Sequence, residues 1–158
     1  MSTLFQKGTR EIAQQNLDVE GSTDVVLIPM STSYSPDAEA QQFIADVSGD
    51  ELNADGYTQG YGSTDRKTPS NRSWDRNDGA SPSQLELQFD DVTWPSLGGG
   101  VSGNNDVMGG VILAEERTDD SDSPIIGFDT LADDRATNGS DITYSTNADG
   151  MVQLVTNP

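Results

Sequence analysis

The chain contains no cysteine and no histidine. Without thiols it has no disulfide, no zinc–thiolate site and no thiol nucleophile, and its redox compartment leaves no mark on the sequence. Without imidazole it lacks the side chain most often used to move protons near neutral pH, and the commonest metal ligand. Lysine is nearly absent as well, with Lys7 and Lys67 the only two. No apolar run approaches the roughly 20 residues of a membrane-spanning helix. The first residues, MSTLFQKGTREIAQQN, lack the apolar core of a secretory signal.

What is present is acid. Lys and Arg number 8 against 27 Asp and Glu, which gives a formal net charge of −19, and the acids are mostly aspartate. Phosphate contacts are made largely by cations, so nucleic acid is not an expected partner. An anionic membrane surface is excluded for the same reason. Charge of one sign at this density opposes the compact state at low salt while keeping the protein soluble. At molar salt the screening length falls to about 3 Å and that repulsion is quenched. The composition reads as that of a protein built for concentrated salt. Its 158 residues fit a single domain, and a domain of that size holds together without staples.

The pattern of apolar residues predicts a mainly β protein, an antiparallel β-sandwich or barrel, with one or two short helices near the N-terminus. Leu4, Phe5, Gly8, Ile12 and Ala13 fall near one face of a helix that Ser2 or Thr3 can cap. TDVVLIPM (23–30) reads as a buried strand, with Pro29 at an end or an edge. Ser35-Pro36 fits a second helix start, with Phe43, Ile44 and Val47 as its inward stripe. Residues 48–83 are rich in Gly, Ser, Asp and Asn and read as a long polar surface excursion with a short strand near Tyr57–Tyr61. Strands then follow at 84–89, 91–95, 107–116, 123–131, 140–146 and 150–155, the last two joined through an Asp149-Gly150 turn.

Several motifs invite a chemical reading and each lacks a necessary part. LGGGVSGNNDVMGG has the glycines of a phosphate loop but no lysine and no following helix, so a loop joining two strands explains it. Asp90 and Asp91 are adjacent, and neighbours on a strand point to opposite faces, so they are not placed as an acid/base pair. Asp119, Asp120 and Asp122 fit no register of an EF-hand loop and read as a hydrated turn. Asn71-Arg72-Ser73 and Asn138-Gly139-Ser140 match the N-glycosylation acceptor pattern, and Asn138-Gly139 is equally a turn. No catalytic, cofactor-binding or metal-binding residue is assigned, and no cofactor is expected.

One stretch reverses the acidic field. Arg66, Lys67, Arg72 and Arg76 surround Trp74 within the excursion. Arginine and tryptophan are the residue types that anchor protein interfaces, and a basic aromatic loop on an acidic body is suited to an acidic neighbour. The expected contact residues are these five together with Phe5 of the N-terminal helix. The alternative is a mobile loop with local ion pairs to Asp65, Asp75 and Asp78.

The order of segments resembles a family of small structural proteins in particles of tailed bacteriophages and archaeal tailed viruses. The resemblance rests on Val25 and Leu27, Tyr34 and Pro36, Phe43 with Asp46 and Val47, and Gly56-Tyr57 with Gly60. It continues through Asp91-Val92-Thr93-Trp94, Ser123-Pro124 with Ile126-Gly127, and Ile142-Thr143. It covers most of the chain from about residue 24 and fails across roughly 63–83. It implies a virion protein without catalytic residues, assembled with capsid or tail subunits, expected as a homo-oligomer. A salt-adapted copy would suit a virus of a halophilic archaeon. Head decoration, turret and tail positions stay open, as does a host-glycan-binding module using Tyr57, Tyr61 and Trp74.

Overall fold

The computed structural model describes residues 2–13, 18–21, 24–77, 84–98, 107–146, 151 and 153–155. In chain order the elements are β1 (Ser2–Leu4), α1 (Gln6–Ala13), β2 (Val25–Ser31), two 3-10 turns (Ile44–Asp46 and Ser48–Asp50), β3 (Ser73–Asn77), β4 (Gln84–Gln88) and β5 (Val92–Leu97). They continue with β6 (Val107–Glu115), β7 (Ile125–Ala136), β8 (Ser140–Tyr144) and β9 (Gln153–Val155). The fold is mainly β and every strand pair is antiparallel. A four-stranded sheet runs β1-β7-β6-β2, a second runs β3-β4-β9, and β5 pairs with β8. Among the described residues no sheet closes into a barrel.

The four-stranded sheet is covered on both faces, which is why β2 and the middle of β6 are apolar without alternation. On one face Val25, Leu27, Val111, Leu113 and Ile126 pack against Leu87, Phe89, Trp94, Ile142 and Tyr144 from the smaller sheets. On the other, Val26, Ile28, Ile112, Ala114 and Phe128 pack against Phe5, Tyr34, Ile44 and Val47. Phe128 lies over Gly110, whose missing Cβ would sit 2.3 Å from its ring, and meets Tyr34 edge-on with centroids 4.8 Å apart.

Helix α1 forms where the apolar spacing predicts, but its start differs. Ser2 and Thr3 do not cap it; they pair with Asp129 and Phe128 as β1. The helix then lies directly on β7 through Gly8, where an added Cβ would be 2.4 Å from both the Ile125 carbonyl oxygen and the Ile126 Cα. Those are backbone atoms and cannot turn aside. An exposed helical Gly→Ala change gains about 1 kcal/mol from propensity. Here Gly8→Ala is expected to lower the melting temperature, because overpacking at about 1–3 kcal/mol outweighs that gain. A rise on thermal denaturation would show that α1 stands off the sheet.

The second expected helix, over 35–47, does not form. Asp37 Oδ1 accepts from the Glu39 and Ala40 N–H groups at 3.1 and 3.0 Å. Asp46 Oδ2 accepts from Gln42 and Phe43 N–H at 2.8 and 2.9 Å. Short carboxylates thus take the donors a helix would use. The backbone also bonds to the entry of β7, with Ile44 N–H to Ser123 O at 3.0 Å and Ile125 N–H to Gln42 O at 3.0 Å. The hairpin expected at the C-terminal end is replaced as well. Strands β8 and β9 are not a hairpin, since β8 pairs with β5 and β9 with β4. Strands β5 and β6 likewise belong to different sheets. The glycine-rich stretch 99–106 and the turn at 147–150 lie outside the described residues.

Candidate functional site

The stretch expected to be a surface excursion keeps most of its described residues exposed or half-buried, but it is pinned to the body at several points. Glu51, Leu52, Ala54, Tyr57 and Arg66 are all buried. No strand forms at 57–61; Gly56, Gly60 and Gly62 take positive φ and turn the chain instead. The segment then returns along the outer edge of β2. Leu27 N–H donates to Lys67 O at 2.7 Å, Lys67 N–H donates back to Leu27 O at 3.1 Å, and Leu52 N–H donates to Pro29 O at 2.9 Å. An open strand edge invites pairing with other chains, and this segment covers it. Pro29 is tolerated in β2 because its edge asks for an acceptor there rather than a donor.

Arg66 holds the segment in place. Its side chain is fully buried and faces three carboxylates, Glu51 Oε2 at 2.8 Å, Glu116 Oε1 at 2.7 Å and Asp120 Oδ1 at 2.6 Å. Nε donates to Glu51 Oε1 at 3.1 Å, and Nη2 makes a further bond to Asp120 Oδ2 at 3.1 Å. Five N–H groups in a rigid fork suit this multiple grip, which a lysine could not reproduce. Burial works against the guanidinium charge, but the hydrogen bonds it donates to Glu51, Asp120 and Glu116 overcome it and hold its pKa above the ordinary arginine value. Glu51 also accepts from the Tyr57 hydroxyl at 2.7 Å. One arginine therefore ties the 51–66 segment to the end of β6 and to the acidic turn.

That turn is hydrogen-bonded within itself. Asp122 Oδ1 accepts from Asp119 N–H at 3.1 Å, its Oδ2 from the Thr118 hydroxyl at 2.8 Å and its Oδ1 also from Thr118 N–H at 3.0 Å, and these donors hold its pKa below the usual carboxylate range. Among the described residues no group of three acids is arranged to hold a metal ion. Asp90 and Asp91 make no pair either; Asp90 Oδ2 accepts from Asn71 Nδ2 at 2.7 Å and Ser70 Oγ at 3.1 Å.

The expected contact residues separate into two groups. Phe5 is fully buried against the sheet, and Arg66 is locked in its ion cluster, so neither is a surface contact of this chain. Phe5 is consumed by docking α1, and Arg66 pairs with Glu51, Glu116 and Asp120; of the expected local ion pairs, the one to Asp65 is made by Lys67 at 3.7 Å, and Asp78 lies outside the described residues. Lys67 is partly exposed, with Nζ donating to Thr64 O at 3.0 Å. Arg72 donates to Pro69 O at 2.8 Å and Glu20 O at 3.2 Å. Trp74 is half-buried against the core and its backbone N–H donates to Glu20 Oε1 at 2.8 Å, while Arg76 is exposed on β3.

Beside the Arg66 cluster opens a shallow cleft of about 420 Å³, lined in part by Asp24, Tyr61, Lys67, Glu116 and Arg117. Among the described residues Tyr61 is the one large apolar side chain left exposed, at 49%. Its hydroxyl donates to the Arg117 carbonyl oxygen. Sequence reasoning missed this cleft because its walls come from β2, the 61–68 turns and the end of β6.

Three other tyrosines are committed to the interior. Burial, and then the neighbouring carboxylates of Glu51, Asp129 and Asp50, push the Tyr57, Tyr144 and Tyr34 hydroxyls far above the ordinary phenol range. A pKa raised in the folded state gives stability that is complete below the unfolded value of about 10 and lost as pH rises past it. Ionisation of these three phenols, followed by ultraviolet absorbance, is expected to coincide with unfolding by circular dichroism in alkali. Phenolate appearing while the fold persists would contradict their burial.

No protein-family model, curated protein or solved structure matches the chain.

Proposed function

We propose that this chain is a non-enzymatic structural subunit of a virus particle, a capsid decoration or turret protein of a tailed virus infecting a halophilic archaeon. One observation carries the reading. The segments that resemble the family are the pieces from which this single β-body is assembled: Val25 and Leu27 in β2, Phe43 to Val47 on one face of the sheet, Val92 to Trp94 in β5, Ile126 and Gly127 in β7, and Ile142 and Thr143 in β8. The charge of −19 supports service in brine. The outer edge of β2 is capped from within the subunit, which suits a rigid part repeated many times. Its partners would be other virion proteins and copies of itself. Particles purified at molar salt and resolved by electron microscopy should contain the chain in a fixed ratio to the major capsid subunit. Its absence from purified particles defeats the proposal.

A second reading is a glycan-binding module of the same particle, tail-associated or on the head. The half-exposed Tyr61 beside Asp24, Lys67 and Glu116 favours it, since an aromatic ring with flanking polar groups suits a sugar. Tyr57 is buried and cannot take part. Host-envelope glycans retained by the wild type and lost on Tyr61→Ala would establish this reading.

A further inference from the structure

We infer that Asn138 is an acceptor for an N-linked oligosaccharide in the folded protein, and that Asn71 is not. Both residues head an Asn-x-Ser pattern and both are exposed. Their surroundings differ. Asn71 Nδ2, the atom that would carry the sugar, donates to Asp90 Oδ2 at 2.7 Å. The next two residues are also engaged: Arg72 is clasped to the Pro69 and Glu20 carbonyls, and Ser73 is paired with Gln88 in β3. Ser140 of the second pattern is paired too, with Leu97 at the start of β8, so what separates the two patterns is the asparagine amide and the residue that follows it.

Asn138 lies at the crest of the turn between β7 and β8. Its Oδ1 accepts from the Ser140 N–H at 3.2 Å, and among the described residues its Nδ2 makes no hydrogen bond. Gly139 takes φ +88 with nothing within 4 Å of where a Cβ would stand, so the middle of the pattern offers no obstruction. The turn is held from beneath, where Gly139 N–H donates to Leu97 O at 2.6 Å. Beside it opens a polar groove of about 470 Å³, lined in part by Arg135, Asn138, Ser140 and Thr143, where the first sugar rings can lie.

The chemistry needs a lipid-linked oligosaccharide as donor and an oligosaccharyltransferase. A bond forms between Asn138 Nδ2 and the anomeric carbon. The bond from that carbon to the phosphate oxygen breaks, the lipid phosphate leaves with the electron pair, and one amide proton passes to the enzyme's base.

The test uses the folded full chain at the salt that keeps it folded, a single-subunit transferase active in that salt, and its lipid-linked donor. Short peptides spanning each acceptor pattern serve as controls, and both should be modified. Intact mass and peptide mapping of the folded chain should show one glycan, on Asn138. Asn138→Gln and Ser140→Ala should each abolish it, and Asn71→Gln should leave it unchanged. A folded chain that stays bare while both peptides react, or one that carries its glycan on Asn71, overturns the inference.

Discussion

Replacing Arg66 with alanine is expected to destabilise the fold by about 3–5 kcal/mol, the range for breaking a buried ion pair from one side. The magnitude follows from what is left behind. Glu51 is 2% exposed, Glu116 14% and Asp120 19%, and all three would face one another with no cation between them. Like charges held this close repel one another, and the carboxylates would have to swing outward toward water. The segment from 51 to 67 would lose its anchor, and with it the cover over β2. For a domain of this size roughly 1 kcal/mol moves Tm by 2–4 °C, so a fall of about 6–20 °C is expected. Arg66→Lys should recover only part of this, since an ammonium lacks the planar fork. The double change Arg66→Met with Glu51→Leu should cost less than Arg66→Ala alone, because it removes the most deeply buried of the three charges and leaves only the partly exposed Glu116 and Asp120 unpaired. A loss for Arg66→Ala below about 1 kcal/mol, the level of a surface pair, would mean that the cluster is solvated and the segment is held by something else.

How much of this was legible in the residues depends on the range of the interaction concerned. The strands announced themselves through local pattern: VVLIP, GGVIL and PIIGF can only be buried, and the antiparallel β class follows from them. Pairing partners were not legible. The link between 140–144 and 151–155 looks like a hairpin turn, yet β8 goes to β5 because Ile142 and Tyr144 have a better place over the sheet beside Trp94. The stretch 35–47 has a helix start and a helical stripe, and both are real preferences. They lose to Asp37 and Asp46, whose carboxylates seize nearby N–H groups, and to backbone bonds with Ser123 and Ile125. Arg66 is the instructive miss. Composition marked it as the head of a basic surface loop, while its three partners lie 15, 50 and 54 residues away in sequence. One signal was available. A polar loop containing Leu52, Ala54 and Tyr57 at close intervals is too apolar to stay on the surface, and a cation inside such a loop is placed to be buried with it.

Stability is expected to fall steeply as salt is lowered from molar to about 0.1 M, where the screening length grows from roughly 3 Å to 10 Å. The cause is the distribution of charge. The body buries one arginine with its partners and leaves most aspartates outside, among them Asp75, Asp91, Asp133 and Asp134. At 10 Å reach each of these feels several neighbours of its own sign; at 3 Å it feels almost none. Salt also strengthens apolar burial by its exclusion from protein surface, and sulfate does this more than chloride. The two mechanisms separate by range. If screening governs, urea midpoints in sodium chloride and sodium sulfate should coincide when plotted against ionic strength up to about 1 M and diverge only above it. Changing Asp75, Asp91, Asp133 and Asp134 together to asparagine should raise stability most at low salt and little at high salt. If these acids instead serve to organise hydration in brine, the same variant will lose stability at high salt and gain nothing at low salt. Curves that stay flat below 1 M would remove the repulsion argument altogether, and with it the physical ground for placing this subunit in a halophile's virus.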